Sequence, residues 1–232
     1  MKKALLLMAL FAGSLLGASA QTADRTLTAF VKPGETQWLA IQLNNGSDQY
    51  VAFQLDVKLP ENLTYAGETR ILRKGETAPH EVYSNQLTDG TLKIASFSYK
   101  EEGTNKYGND VFTGASGDLL LIKVTSSGNY VAKNVQVSEA KFVKNDASFT
   151  EVPLTAYVAG LLGDVNGDGD IDVQDASLIA KKSVGKLAAD ASNFEEVVAD
   201  VNGDDNVDVQ DAALVVKYQV GKINSFDNSN NE

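Results

Sequence analysis

Two acidic blocks place oxygen-bearing side chains at the same relative positions. In the first, Asp164, Asn166, Asp168, Asp172 and Asp175 stand at positions 1, 3, 5, 9 and 12, with Asp170 at position 7. Thirty-six residues later Asp200, Asn202, Asp204, Asp208 and Asp211 repeat the spacing, with Asn206 at position 7. Hard oxygen donors on a short curved loop suit a calcium ion, which takes roughly six to eight oxygens in a flexible shell. Short Asp and Asn side chains turn inward from such a curve. Position 7 offers its backbone carbonyl, position 12 up to two oxygens, and position 9 acts directly or through water. Two calcium ions per chain are expected; magnesium wants a stricter octahedral shell and releases water reluctantly. A featureless acidic patch would not repeat an apolar residue at position 8 (Ile171, Val207) or an identical Val-Gln-Asp-Ala ending.

The loops differ at position 6. Gly169 suits the left-handed turn expected there, whereas Asp205 reaches it only at a cost, so the second site is expected to bind more weakly. A helix should follow each loop, starting near Ala176 and Ala212 and stopping before Gly185 and Gly221, with Lys182 and Lys217 near the negative helix ends. A short helix over 193–198, capped by Ser192, is expected between the units.

The elements that carry these loops belong to an acidic chain. Its net charge is −11, and from Gly163 onward there are 15 acidic and 5 basic residues. That balance argues against nucleic acid and anionic membrane surfaces as partners. Lys2-Lys3, the apolar run Ala4 to Leu16 and Ala18-Ser19-Ala20 have the layout of an export signal over residues 1–20. The run is too short to cross a bilayer, so no membrane insertion is expected. A secreted, extracellular product follows, held at a bacterial cell surface if a partner sits there. There is no cysteine, hence no disulfide.

Residues 26–158 read as an all-β sandwich. Phe53, Leu55, Val57 and Leu59 alternate with polar residues, the period of a half-buried strand. Pro33-Gly34, Asn45-Gly46 and Asp89-Gly90 mark turns. Eight or nine strands are expected, with longer polar connections over 67–86 and 100–116 and Trp38 inside. Tyr99, Tyr107 and Phe112, in or beside the second connection, are expected to anchor it, with contact to a ligand as the alternative. Residue patterns select no catalytic group: His80 is the only histidine, and Glu35, Asp56, Glu61 and Glu81 read as solvated. The join over 159–163 has no Pro- or Thr-rich linker, so restricted motion is expected, with Leu161 and Leu162 packing into the C-terminal unit. The polar tail, 223–232, frays unless Phe226 folds back.

Paired loop-helix units of this kind resemble the type I dockerin modules of cellulosome-like assemblies, over residues 161–222. The resemblance implies a small all-α, calcium-folded module that binds a cohesin on another protein. The implied contacts are Val173-Gln174 and Val209-Gln210, with Lys181 and Lys217 on the helix faces. Val-Gln departs from the Ser-Thr-like pairs of well-studied members and implies a different partner specificity, and the identical pairs imply two binding orientations. The first module resembles a cohesin, or its carbohydrate-binding relatives, through Val31 to Thr36, Ala52 to Val57, Asp89 to Ile94 and Gly117 to Val124. The fold expected is therefore multidomain, an immunoglobulin-like or jelly-roll sandwich followed by the dockerin.

The resemblance implies a non-catalytic adaptor or scaffold for an extracellular polysaccharide-processing complex. Its sandwich is expected to bind a dockerin, with head-to-tail self-association where that dockerin is its own, or polysaccharide as the alternative. A glycoside hydrolase is the third and weakest reading.

Overall fold

The computed structural model describes residues 25–76, 78–98, 110–188 and 193–226. The expected export signal, Tyr99, Tyr107, Ser192 and the tail beyond Phe226 lie outside that range.

Among the described residues the first unit contains ten strands, more than the eight or nine expected: β1 (Thr26–Lys32), β2 (Gln37–Asn44), β3 (Tyr50–Lys58), β4 (Leu63–Ile71), β5 (His80–Gln86), β6 (Leu92–Ser98), β7 (Asp118–Ser126), β8 (Gln136–Lys144), β9 (Glu151–Pro153) and β10 (Ala156–Leu161). They form two five-stranded sheets, ordered β10-β1-β2-β7-β4 and β5-β6-β3-β8-β9. Among the described residues β1 and β10 pair in parallel and the other pairings are antiparallel. The two-residue period does the sorting: Phe53, Leu55 and Val57 are buried, while Gln54 and Lys58 face water. Leu39, Ile41, Leu43 and Ile122 of the first sheet share one core with Phe53, Leu55, Ile94 and Phe142 of the second.

The stretch 67–86, expected as a polar connection, instead contains the end of β4 and all of β5. β4 is bulged between Tyr65 and Thr69, with Gly67 at φ 80°, which breaks its alternation. β5 lies at a sheet edge and buries only His80 fully, so it has no apolar stripe to read. Trp38 is buried as expected, but on the outer side of its sheet, with the Arg70 guanidinium 4.6 Å above the ring.

His80 sits in the interior, not in a polar surface stretch. Its Nδ1 accepts from Gly75 N at 2.9 Å, its Nε2 lies 3.1 Å from the Val51 carbonyl, and its ring stacks on Phe112 at 3.9 Å. Phe112 thereby anchors its connection, as expected. Ser98 and Asp110 are close by, but both bond to backbone around Ala78. Neither imidazole nitrogen is available to activate a nucleophile, so this trio is a structural clasp. Burial lowers the His80 pKa, so the fold favours the neutral ring. The stability this contributes is complete above the ordinary value of about 6.5 and is lost as pH falls through the depressed folded value. The urea midpoint should therefore drop between pH 7.5 and pH 5, and His80→Gln should flatten part of that slope.

The second unit holds α1 (Val173–Ser183), a 3-10 turn (Glu196–Val198) and α2 (Val209–Gln219). Over residues 193–198 the chain forms this single turn and not the expected short helix: Glu195 is extended and its N–H is bonded to the Val165 carbonyl at 2.8 Å. Both helices start three residues before the expected points, because Asp172 and Asp208 cap them inside the loops. Gly185 and Gly221 end them at φ 68° and 69°.

The two units share a core. Phe30, Ala40 and Leu121 project from the outer face of the first sheet onto Leu162, Val165, Ile179, Val198, Val215 and Phe226. β10 continues to Leu161, Leu162 N donates to the Val31 carbonyl at 2.8 Å, and Gly163 N to the Val198 carbonyl at 2.9 Å. The join is thus strand and pinned turn. Leu162 packs into the second unit, while Leu161 packs on the sandwich core. Phe226 does fold back, onto Tyr218 and Gly163. A Cβ at residue 163 would lie 2.9 Å from the Phe226 ring, and its φ is 96°, so only glycine suits it. No helix among the described residues is long and apolar enough to cross a membrane.

Candidate cation loops and the helix faces beside them

Each loop is organised by its first and last carboxylates. Asp164 Oδ1 accepts from Gly167 N at 2.7 Å and Asp168 N at 3.2 Å, and its Oδ2 accepts from Gly169 N at 3.0 Å. Asp175 Oδ1 accepts from Val165 N and Asn166 N, and its Oδ2 from Asp172 N. Asn166 and Asp168 bracket the next turns by accepting from Asp168 N and Asp170 N.

The second loop repeats this set. Asp200 accepts from Gly203, Asp204 and Asp205, and Asp211 from Val201, Asn202 and Asp208. Asn202 and Asp204 accept from Asp204 N and Asn206 N. Asp172 and Asp208 also accept from Gln174 N and Gln210 N, capping α1 and α2. Loop curvature and helix start are therefore set by the same side chains.

The electrostatics point one way. Asp175 and Asp211 are fully buried and Asp164 is 6% exposed. Burial pushes the Asp175 carboxyl up to about 6, against its backbone hydrogen bonds and aided by the charge of Asp164. Burial likewise raises Asp164, Asp200 and Asp211. Among the described residues no lysine or arginine forms an ion pair with any of the four. Buried anions lacking a cationic side chain are costly, and a hard divalent cation is what the donor set would accept.

In this conformation no three Asp, Glu or His side chains among the described residues gather as a metal cluster. The carboxylates are spread over the loop's own N–H groups. Each set counts four aspartate carboxylates, one asparagine amide oxygen and one backbone carbonyl, all hard oxygen donors. The residues present fit the ion in chemistry and spacing.

At position 6 the backbone is left-handed in both loops, at φ 96° for Gly169 and 66° for Asp205. A non-glycine residue there costs about 1 kcal/mol, although aspartate tolerates the region better than most. Asp205→Gly is expected to stabilise the second loop by up to about 1 kcal/mol. Gly169→Asp should weaken the first by a similar amount, and urea unfolding checks both.

The helix faces expected to make contacts are open. Val173 is 58% and Val209 60% exposed, and Gln174, Gln210, Lys181 and Lys217 are exposed beside them. On the sandwich, Tyr83 and Phe97 are exposed and stack on one another at 5.2 Å, rather than lying side by side as a planar row.

Residues 162–218 match the family model described as the dockerin type I domain. The C-terminal unit is of the dockerin type. The sandwich lies in the part of the chain outside that match. Solved structures similar to this chain include a type I cohesin–dockerin complex from Clostridium thermocellum, at 13% identity and a TM-score of 0.41, covering 62% of this chain and 96% of the other. A type II cohesin module from the adaptor scaffoldin of Acetivibrio cellulolyticus has 10% identity and a TM-score of 0.39, covering 61% and 96%. The cohesin module of a family 33 glycoside hydrolase from Clostridium perfringens has 12% identity and a TM-score of 0.41, covering 58% and 96%. No curated protein matches the chain.

Sequence reasoning placed Leu162 at the join between dockerin and sandwich but missed the sheet residues Phe30, Ala40 and Leu121 that complete the seam. The signal was present in Ala29-Phe30-Val31 and in Leu119-Leu120-Leu121-Ile122, strands apolar on both faces. Such strands need cover on both sides. Glu195 closes the seam's rim, accepting from the Tyr157 hydroxyl and lying 3.7 Å from Lys133 Nζ.

Proposed function

We propose that this chain is an exported, non-catalytic assembly protein whose dockerin unit docks onto a cohesin of another protein in a calcium-dependent way. It would serve as an adaptor or scaffold component in an extracellular complex that processes polysaccharide. The observation that carries the reading is the duplicated loop-helix geometry, in which the same hydrogen bonds set both loops and both helix starts.

Asp164, Asn166, Asp168, Asp172 and Asp175, with the carbonyl of Asp170, would hold one ion. Asp200, Asn202, Asp204, Asp208 and Asp211, with the carbonyl of Asn206, would hold the second. When bound, calcium supplies positive charge to buried carboxylates, and binding free energy then becomes folding free energy. The loop residues fix where α1 and α2 begin, and so present Val173-Gln174 and Val209-Gln210 on a rigid face.

The test is a calcium-dependent pull-down, with the full chain as bait, from the secreted and surface fractions of the producing organism. A cohesin-bearing protein should be retained with calcium and released by chelator. The chain carrying both Asp175→Ala and Asp211→Ala should retain none. Equal retention by that variant would sink the reading.

A further inference from the structure

Three Asn-Gly pairs stand in the chain: Asn45-Gly46, Asn166-Gly167 and Asn202-Gly203. The last two occupy positions 3 and 4 of the acidic loops. Such a pair can close on itself, because the backbone nitrogen after the asparagine reaches the side-chain Cγ in a five-membered ring. Glycine puts no Cβ in the way, and asparagine is for this reason a chemically labile residue. The fold treats the three pairs differently.

In the first loop the groups that ring closure needs are held together. The nucleophile, Gly167 N, donates to Asp164 Oδ1 at 2.7 Å, a carboxylate oxygen placed to take its proton. The Asn166 amide is polarised: its Oδ1 accepts from Asp168 N at 2.8 Å, a donor standing where negative charge develops as Cγ is attacked. The departing nitrogen, Asn166 Nδ2, is fixed by donation to Asp168 Oδ2 at 2.9 Å. The second loop repeats the arrangement. Gly203 N donates to Asp200 Oδ1 at 2.8 Å, Asp204 N to Asn202 Oδ1 at 2.9 Å, and Asn202 Nδ2 to Asp204 Oδ2 at 3.0 Å. Gly167 and Gly203 are exposed, so water reaches a ring formed there.

Asn45 is held otherwise. It is 4% exposed, and its Oδ1 is pinned by Arg73 Nη2 at 3.0 Å. Gly46 N donates at 2.9 Å to the amide oxygen of Asn44, which is no base. The sandwich pair therefore lacks both the proton acceptor and the access to water.

We propose that Asn166 and Asn202 are sites of self-modification, open whenever the loops lack calcium. Gly167 N bonds to Asn166 Cγ, the Cγ–Nδ2 bond breaks, and the proton taken by Asp164 leaves with the departing nitrogen as ammonia. Water then opens the succinimide at either carbonyl, giving aspartate or, with one more carbon in the backbone, isoaspartate. Asn202 follows the same course with Asp200. An isoaspartate lengthens a loop whose oxygen spacing depends on its curvature, so that site is lost for good. The inference rests on the calcium reading above, under which Asp164 and Asn166 would hold the ion and no longer serve ring closure. Calcium then sets the lifetime of the dockerin as well as its fold.

The experiment incubates the full chain at one pH and temperature in three states: stripped by chelator, loaded with calcium, and unfolded in guanidinium. Peptide mass spectrometry follows deamidation at each of the three asparagines. In the stripped chain Asn166 and Asn202 should react several-fold faster than in guanidinium, and Asn45 several-fold slower. Calcium should bring both loop sites below their unfolded rate. Asp164→Asn should slow Asn166 and leave Asn202 of the same chain unchanged. The guanidinium comparison needs no variant, so it decides even where Asp164→Asn disturbs the loop. Loop sites no faster in the stripped chain than in guanidinium, or an Asn166 rate unmoved by Asp164→Asn, would overturn the proposal. Equal loop rates with and without calcium would overturn it too, and a parallel calcium titration separates the causes. Two ions bound would leave the calcium reading standing; none bound would remove both.

Discussion

Asp175→Ala is expected to unfold the dockerin half of the protein, and Asp211→Ala to do nearly the same. Each carboxylate accepts three backbone N–H groups, from Val165, Asn166 and Asp172 in one loop and Val201, Asn202 and Asp208 in the other. Alanine leaves those donors in a buried place without their acceptor, at about 1–3 kcal/mol per unsatisfied group. The total, on the order of 3 kcal/mol or more, is a large share of the stability of a small domain. The capping box of the following helix goes with it. Helical ellipticity and the urea midpoint, measured with calcium, report the loss. Asp168→Ala is the control: Asp168 is exposed and accepts from one backbone N–H, that of Asp170. Its removal takes away one acceptor and one of the side chains proposed to hold the ion, so it should cost stability, but less than the loss of Asp175. A variant at Asp175 as stable as one at Asp168 would show that the buried carboxylate does not organise the loop.

Separating the two halves should cost almost as much. A fragment ending at residue 158 removes half of β10, the parallel partner of β1. It also strips the cover from Phe30, Ala40 and Leu121. Exposed apolar patches of that kind promote association, so the isolated sandwich should melt earlier and aggregate. In the full chain, Phe30→Ala should cost about 3–4 kcal/mol and lower the melting temperature of both halves together. Two independent calorimetric transitions, with only one of them shifted, would contradict a shared core. The practical consequence is that the sandwich's binding preferences are best measured on the intact chain.

The loops were legible in the sequence because their oxygen-bearing side chains are local: a spacing of 1, 3, 5, 9 and 12 is set within twelve residues, and those side chains organise the curve through backbone N–H groups of the same loop. The strong strands were legible for a similar reason, since Phe53, Leu55 and Val57 declare a buried face by alternation. β5 was not legible, because an edge strand that buries only His80 fully has no stripe to display. The connector between loops was misread because its ties, among them Glu195 N to the Val165 carbonyl and Gly163 N to the Val198 carbonyl, are tertiary bonds that no local cap predicts. The seam on Phe30 and Leu121 required knowing which strands are neighbours. Two-sided apolar strands announce that a second layer exists, but not that the chain's own dockerin supplies it.

The central claim is that these two loops each take a calcium ion and that the dockerin folds with them. Calorimetric titration of calcium into the chelator-stripped full chain tests it most directly. The account predicts two ions per wild-type chain, a weaker second site that Asp205→Gly strengthens, and no comparable binding of magnesium. Binding of no calcium, or of equal calcium by the wild type and by a chain lacking both Asp175 and Asp211, would contradict it.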